Sequence, residues 1–218
     1  MIASLVGSEM CIRDSIYFEG IDKVTPQDIN FGKQLELILK PLSVGQLSED
    51  KITLGSFPAF VKEKSLLASI ENESNAVLMN AENVGETMYA GPGAGAKPTS
   101  NSVLSDIIDI ATGKIFDYQK FVESPLASSF ENFSCDHYLR FIVSDEPGVV
   151  AKISTVLAAN NLSIDNLIQN ELDREDDAIP LVIVISNSKE KIMQNTISDL
   201  QKLPEVKNSI SHIRILDI

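Results

Sequence analysis

Three glycines at alternating positions, Gly91, Gly93 and Gly95, precede Thr99 and an amphipathic segment. Glycines at this spacing let a backbone approach a ligand closely. A helix that starts after them offers unpaired N–H groups and a positive dipole end, which favour an anion such as a phosphate. The spacing is not the GxGxxG fingerprint of a βαβ unit, and the next acidic residues come too early for it. The residues alone therefore leave two interpretations open, a cofactor contact or a Gly-rich packing loop.

Composition narrows the class of protein. The 218 residues are 44% hydrophobic and 22% charged, which suits one large or two small globular domains. Mean hydropathy is near zero, and the absence of an 18-residue apolar run argues against a transmembrane helix. A net charge of −13 without a cluster of Lys or Arg argues against partners such as nucleic acid and anionic membranes.

Cysteines and histidines are scarce. The two cysteines, Cys11 and Cys135, suggest neither a disulfide framework nor a metal site. The two histidines, His137 and His212, are too few and too scattered for a zinc site or a Ser-His-Asp triad, and both lie beside strand-like patterns. We therefore expect structural histidines, no metal, and a cytoplasmic protein.

The glycines belong to a longer series of ordered motifs. In chain order these are Phe18–Ile29, Asn75-Ala76-Val77, Val84-Gly85-Glu86-Thr87-Met88, Gly93-Ala94-Gly95, Pro98-Thr99 and Ser105–Ala111. Together they resemble the C-terminal signature of the homoserine dehydrogenase family, from about Ile16 to Ala111. Several motifs that match in order are far more specific than any one of them.

The resemblance implies an oxidoreductase that transfers a hydride between NAD or NADP and a small substrate, interconverting homoserine and aspartate semialdehyde. The family's catalytic lysine and its Rossmann cofactor domain lie upstream of the matching motifs. We therefore assign no catalytic residue and expect the chain alone to be inactive. The resemblance implies a backbone contact to the cofactor at Gly95, with Gly93 and Thr99 behind it and Gly91 in the turn. Glu86 is either an acid near the substrate or the end of a strand.

Local patterns predict the elements that position these residues. Thr25, Pro26 and Asp28 have the types and spacing of a helix start. Strands are predicted around the late part of Lys33–Ser43, at Lys51–Val61 and at Ala76–Met79, with a short helix at Leu66–Ile70. A longer helix is predicted from Thr99, as its cap, to Ala111, with Gly113 at its end.

The C-terminal pattern predicts a βαββαβ order, the ferredoxin-like split unit. The elements run Tyr138–Val143, Gly148–Asn160, Leu162–Gln169, Ile179–Ile185, Ser188–Leu203 and Val206–Leu216, with an acidic loop at Asp173–Asp177. With the turn before Val149, the order resembles an ACT domain, a module that binds amino acids. An effector, with threonine the first candidate, would place its carboxylate at the helix N–H groups near Gly148 and Val149 and its ammonium at Asp145 or Glu146. Alternatively, Asp145 caps the helix and the module only dimerises.

The sequence thus predicts an α+β protein, with a partial substrate-domain α/β sheet followed by an ACT domain. The predicted boundaries are a non-native-looking leader at 1–15, a substrate and dimerisation segment at 16–113, a linker at 114–136 and the ACT domain at 137–218. We expect residues 137–218 to fold independently and to form a homo-oligomer through an exposed sheet edge. The alternative function is a stand-alone, non-catalytic amino-acid-binding regulatory protein.

Overall fold

The structure is a computed structural model that describes residues 16–48, 51–114, 126–169 and 178–218. It contains two compact units, one made of Met1–Lys62 with Pro125–Asp217 and one made of Glu63–Ser124. Both units contain helices and strands, so the predicted α+β class is confirmed. The predicted leader at 1–15 and the acidic loop at Asp173–Asp177 lie outside the described residues.

The βαββαβ order of the C-terminal part is confirmed. In chain order the elements are β7 (Ser134–Ser144), α3 (Val149–Ala159), β8 (Ile164–Gln169), β9 (Ala178–Lys189), α4 (Glu190–Leu200) and β10 (Ser211–Leu216). These strands are antiparallel in the spatial order β10-β7-β9-β8. Helix α4 starts two residues later than predicted because Ser188 and Lys189 still pair with β7. The last strand is shorter than predicted and begins at Ser211.

The N-terminal part of the same unit is a short strand, a helix and a long hairpin. The bounds are Tyr17–Phe18 for β1, Pro26–Gln34 for α1, Leu37–Ser48 for β2 and Lys51–Lys62 for β3, with a 3-10 turn at Ile21–Lys23. The predicted start of α1 is confirmed as a capping box, in which the Asp28 backbone N–H donates to Thr25 Oγ1 and Asp28 Oδ2 accepts from the Thr25 backbone N–H. Strands β2 and β3 pair over their whole length.

One sheet of eight strands joins these two parts. Strand β3 runs parallel to β10, with Arg214 opposite Ala59 and Leu216 opposite Val61. The same edge of β3 also takes β1 and the short strand β6 (Leu126–Ala127). The prediction of an exposed edge is therefore wrong for β10, which β3 covers. Within the described sheet, β8 is the end strand beyond β9.

Apolar side chains cover both faces of this sheet. On one face, alternate residues of β9 such as Leu181, Ile183 and Ile185 pack with α3 and α4. On the other face, Val182 and Val184 pack with Phe31 of α1 and Phe60 of β3. Burial on both sides explains why β9 has the continuous apolar sequence that predicted a strand.

The predicted linker at 114–136 differs from the structure where it is described. Residues 126–136 form β6, a 3-10 helix at Phe130–Asn132 and the start of β7. Phe130 and Phe133 are buried against Phe57 of β3. These aromatic residues of the predicted linker thus belong to the core of the unit.

The second unit contains a 3-10 helix at Leu66–Ser69, a two-stranded hairpin and a helix. The hairpin pairs β4 (Ser74–Ala81) with β5 (Gly85–Pro92). Helix α2 (Ala96–Ala111) ends as predicted at Gly113, whose φ is +69°. There the Gly113 N–H donates to the Ile110 carbonyl and the Lys114 N–H to the Asp109 carbonyl, the pattern of a Schellman motif.

Candidate functional site

The Gly-rich segment begins in strand β5 and ends at the start of helix α2. Gly91 lies in β5 opposite Asn75, so the prediction that it serves the turn is wrong. The chain turns at Gly93–Gly95, between β5 and α2. The segment that sequence analysis treated as one loop is therefore a short bend held between two regular elements.

The two glycines of this bend have different structural roles. A Cβ on Gly93 would lie 2.1 Å from Nδ2 of Asn75, and the Gly93 N–H donates to the Glu73 carbonyl at 2.7 Å. Gly95 has a φ of +113°, which favours glycine over other residues. The backbone conformation thus favours glycine at Gly95 without any ligand, whereas a Cβ at Gly93 would have to displace the exposed Asn75 side chain. A packing role accounts for both glycines as well as a cofactor contact does.

Helix α2 starts three residues earlier than predicted. Gly95 is its N-cap, and Thr99 donates its hydroxyl to the Gly95 carbonyl at 2.9 Å. The prediction that Thr99 caps the helix is therefore wrong, because its side chain is a donor inside the first turn. Gly95 has no side chain that could accept from the first N–H groups, so this helix start keeps the donors that suit an anion.

The remaining residues of the predicted cofactor and substrate region are exposed. Glu86 lies in β5 opposite Asn80, which agrees with its strand interpretation and leaves the substrate role a prediction. The apolar stripe of α2 is also exposed, with Val103, Leu104 and Ile107 each more than 50% accessible. Contiguous exposed apolar residues of this kind mark surfaces that bind another protein or segment.

The predicted effector site lies at the start of α3. Gly148 is the N-cap with a φ of +94°, and α3 has no side-chain cap there. The N-cap residue is thus Gly148. The alternative, in which Asp145 acts as a capping acid, stays a prediction. Asp145 and Glu146 are exposed, whereas Val149 is buried in the core. Because no atom lies within 4 Å of a Cβ built on Gly148, its glycine is required by conformation and not by space.

A buried ion pair connects α1 to β7. Arg140 donates from Nε to Asp28 Oδ1 at 2.6 Å and from Nη2 to Thr25 Oγ1 at 3.0 Å. Tyr138 adds a hydroxyl bond to Asp28. Burial alone would raise the pKa of Asp28, but the hydrogen bonds from Arg140 and Thr25 outweigh it and lower that pKa. A surface cavity of about 410 Å³ lies beside this pair, and Gln27 and Ser209 are among its lining residues.

A second buried ionic cluster surrounds Arg214. Its guanidinium donates from Nη2 and Nε to Glu190 at 2.5 and 3.0 Å, and from Nη1 to Glu19 at 2.7 Å. The Arg214 Cζ atom lies 4.7 Å from the ring centroids of both Tyr17 and Phe57. Burial opposes the charge, but the bonds to Glu190 and Glu19 raise the pKa of Arg214, so the ion stays charged.

The two histidines meet beside this cluster. His137 Nδ1 lies 2.9 Å from His212 Nε2, although 75 residues separate them in sequence. His137 is fully buried and His212 is partly buried. Burial lowers the pKa of His137, and burial together with Arg214 lowers the pKa of His212 well below its usual range. Both rings are therefore neutral at pH 7.

Sequence reasoning missed both ionic clusters and the histidine pair. Arg140 and Arg214 occur within strongly apolar strand patterns. This context is the one feature of the sequence that indicates burial of their side chains. Their partners are on other elements, at sequence separations of 24 to 197 residues for the Arg214 bonds. Pairing over such separations requires the fold to be known.

Comparison with known families gives two matches. Residues 1–108 match the family model described as homoserine dehydrogenase, and residues 137–205 match the ACT domain. The first match includes residues 1–15, ahead of residue 16, where we placed the start of the resemblance. In the described part of the chain, no helix is long and apolar enough to cross a membrane.

Individual relatives agree with the family matches. The homoserine dehydrogenase of Helicobacter pylori is 33% identical and covers 99% of this chain, which spans 51% of that relative. The homoserine dehydrogenase of Bacillus subtilis is 32% identical, and the match covers 90% of this chain and 47% of that relative. A crystal structure of homoserine dehydrogenase from Thiobacillus denitrificans matches 94% of this chain and 48% of its own, with 28% identity and a TM-score of 0.82. The chain spans about half the length of the curated relatives it matches.

Proposed function

Because this chain belongs to the homoserine dehydrogenase family and carries an ACT domain, we propose that it supplies substrate-domain and regulatory parts of an NAD(P)-dependent oxidoreductase. The reaction is the interconversion of L-homoserine and L-aspartate 4-semialdehyde, within threonine, methionine and isoleucine biosynthesis in the cytoplasm. The observation that carries this proposal is the agreement in fold with the Thiobacillus denitrificans structure, at a TM-score of 0.82 over 94% of the chain.

In this function, the bend before α2 contacts NAD or NADP. The Gly95 backbone and the first N–H groups of α2 form an uncapped helix start, which favours the negative charge of a dinucleotide. Gly93 and Thr99 hold this start in place through their bonds to Glu73 and Gly95. Glu86 is proposed to lie near the substrate, homoserine.

A chimera tests the catalytic proposal. The corresponding half of the Helicobacter pylori relative is replaced with this chain, and homoserine-dependent formation of NADH and NADPH is measured. We expect turnover from the chimera and none above a blank from this chain alone. The intact relative is the positive control. A folded chimera without turnover contradicts the proposed function, and turnover by the chain alone contradicts the inactivity that we predict for it.

The regulatory part is proposed to bind an amino acid at the start of α3. The N–H groups at the start of α3, after Gly148, would donate to a carboxylate, and the exposed Asp145 and Glu146 would attract an ammonium group. Threonine, a product of the implied pathway, is the first candidate. A ligand at 100 times its dissociation constant would stabilise the chain by roughly 2.7 kcal/mol.

Thermal unfolding with millimolar amino acids tests this site. We expect threonine to raise the melting temperature and Asp145→Asn to weaken that effect. If threonine, methionine, isoleucine and lysine all leave the melting temperature unchanged, the effector site is rejected. An amino-acid effect without turnover by the chimera favours the alternative, a non-catalytic ACT regulatory protein.

A further inference from the structure

Both histidines of the chain lie beside a carboxylate, in a group that sequence spacing did not reveal. His137 of β7, His212 of β10 and Glu190 at the start of α4 each offer a ligand atom, and these atoms lie within 4.8 Å of one another. We propose that these three side chains bind a divalent first-row transition metal such as Zn²⁺. Two imidazole nitrogens with one carboxylate oxygen form a ligand set that zinc accepts.

The hydrogen bonds around His137 present the correct nitrogen to a metal. His137 Nε2 lies 3.2 Å from the Ser188 carbonyl, which can only accept, so the proton is on Nε2. Nδ1 is therefore the lone-pair nitrogen, and it faces His212 Nε2 at 2.9 Å. A ring N–H that donates to a backbone carbonyl while the other nitrogen ligates is the usual arrangement around a metal-bound histidine.

One proton now joins the two imidazoles, and a metal ion would replace it. The His212 Nε2–H donates to His137 Nδ1. On metal binding this proton moves through solvent to His212 Nδ1, where Gln194, 3.5 Å away, turns its amide oxygen to accept it, and both facing nitrogens then have a lone pair for the metal. A tetrahedral ion with bonds of about 2.0–2.1 Å needs a somewhat wider separation than this contact. His212 is partly exposed, so its ring can move by that amount, whereas His137 is fixed by the core.

Glu190 is held in position for the third ligand. Its Oε1 accepts from Arg214 and Gln194, whereas Oε2 accepts from Arg214 Nε at 3.0 Å. A carboxylate oxygen has two lone pairs, so Oε2 can ligate a metal and keep its bond to arginine. Glu19 and Glu190 are two carboxylates paired with one guanidinium, that of Arg214, so the cluster has an excess of one negative charge. This excess favours a cation beside it.

An adjacent cavity provides access and a fourth ligand. A cavity of about 570 Å³ is lined by Glu190, Gln194 and Glu131 among others, so water can reach the carboxylate. Three protein ligands and one water complete a four-coordinate site. Cys135 is not part of it, because its Sγ lies 3.9 Å from His137 Nε2, the nitrogen that faces away from His212.

Metal titration of the full chain tests the proposal. The protein carries Cys11→Ser, is stripped with a chelator, and is titrated with Zn²⁺ by calorimetry and with Co²⁺ by visible absorption. We expect one ion per chain and cobalt bands of a four-coordinate nitrogen and oxygen site. His212→Asn should weaken binding by more than tenfold, since even the outer partners of metal ligands contribute about 10–100-fold. His212→Asn keeps the bonds between Arg214 and Glu190, and circular dichroism checks its fold.

Two control variants make the result decisive. Glu131→Gln changes another residue that lines the same cavity, and Cys135→Ala removes the nearest thiol; both should bind zinc as tightly as the parent. Absence of zinc binding by the parent, equal binding by His212→Asn, or loss of binding in Cys135→Ala would each overturn the site. Loss in His212→Asn with retention in both controls supports it.

Discussion

At the scale of single residues, Arg214 is predicted to stabilise the first unit more than any exposed ion pair does. It is completely buried and binds two carboxylates, Glu19 and Glu190. Arg214→Met would leave both carboxylates without their cation, which costs about 3–5 kcal/mol in comparable buried pairs. The free energy of unfolding in urea measures this loss.

The matched control is Lys191→Met. Lys191 pairs with Glu131 at 3.0 Å, and both side chains are about 60% exposed. Exposed pairs contribute less than about 1 kcal/mol because water and salt screen them. Equal losses for the two variants would show that burial does not strengthen the Arg214 cluster.

The histidine pair predicts a pH dependence of stability. The pKa values of His137 and His212 are lowered in the folded chain, mainly by burial. The unfolded chain, with histidine pKa values of about 6.5, therefore binds more protons as the pH falls below that value. Stability should be fully present well above pH 6.5 and decrease as the pH falls through about 6.5 towards the lowered pKa values of the folded chain. Arg214 lies beside the pair, and its raised pKa keeps it charged throughout this range.

Urea unfolding at pH 7.5 and 5.5 measures this effect. His212→Asn removes one of the two titrating imidazoles, so the free energy of unfolding of this variant should change less between these pH values than that of the parent chain. A parent chain that is as stable at pH 5.5 as at pH 7.5 would contradict the neutral state of the pair.

The sequence predicted some of these residues and not others. Thr25 and Asp28 were found because a capping box is a local pattern three residues long. The bond between Asp28 and Arg140 was not predicted, because 112 residues separate the two in sequence. Gly93 and Gly95 were found as a pattern, but only the structure gives the reason for each, the nearby Asn75 side chain at Gly93 and the positive φ at Gly95.

At the scale of elements, the start of α3 depends on the backbone conformation of a single residue, Gly148. Gly148 has a φ of +94°, a conformation that costs an L-residue roughly 1–2 kcal/mol. Gly148→Ala should therefore lower the free energy of unfolding by about that amount, although the added methyl meets no atom within 4 Å. Chemical denaturation is again the measurement.

Gly45→Ala in β2 is the control for this element. Gly45 is not among the glycines with positive φ, and its added methyl would meet only the flexible Leu54 side chain. We expect a change within about 0.5 kcal/mol. A larger loss at Gly45 than at Gly148 would contradict the assignment of strain to the α3 start.

At the scale of the whole molecule, the ACT strands share their sheet with β3. Residues 137–218 alone would expose the β10 edge and lose Phe31 and Phe60 from one face. We therefore predict that this fragment self-associates with rising concentration, while the full chain does not associate through β10. Light scattering of both proteins over a wide concentration range is the check, and a fragment that stays monomeric would contradict the prediction.

Sequence patterns predicted the order of the elements but not the pairing of strands that are distant in the chain. Each strand from β7 to β10 shows apolar residues that local analysis detects, so the βαββαβ order was predicted. The parallel pairing of β10 with β3 involves residues more than 150 positions apart, and no local pattern specifies it. For the same reason, 137–218 was predicted as a separate domain with a free edge.

The position of β10 also has a consequence for how the chain folds during synthesis. Ribosomes make β3 and β7 long before Ser211–Leu216, yet β10 lies between them in the finished sheet. Until β10 leaves the exit tunnel, both neighbours display unpaired backbone groups, which are prone to pair with other nascent chains. The central strand is thus inserted last, and we expect this step to set the time during which the emerging polypeptide needs a chaperone.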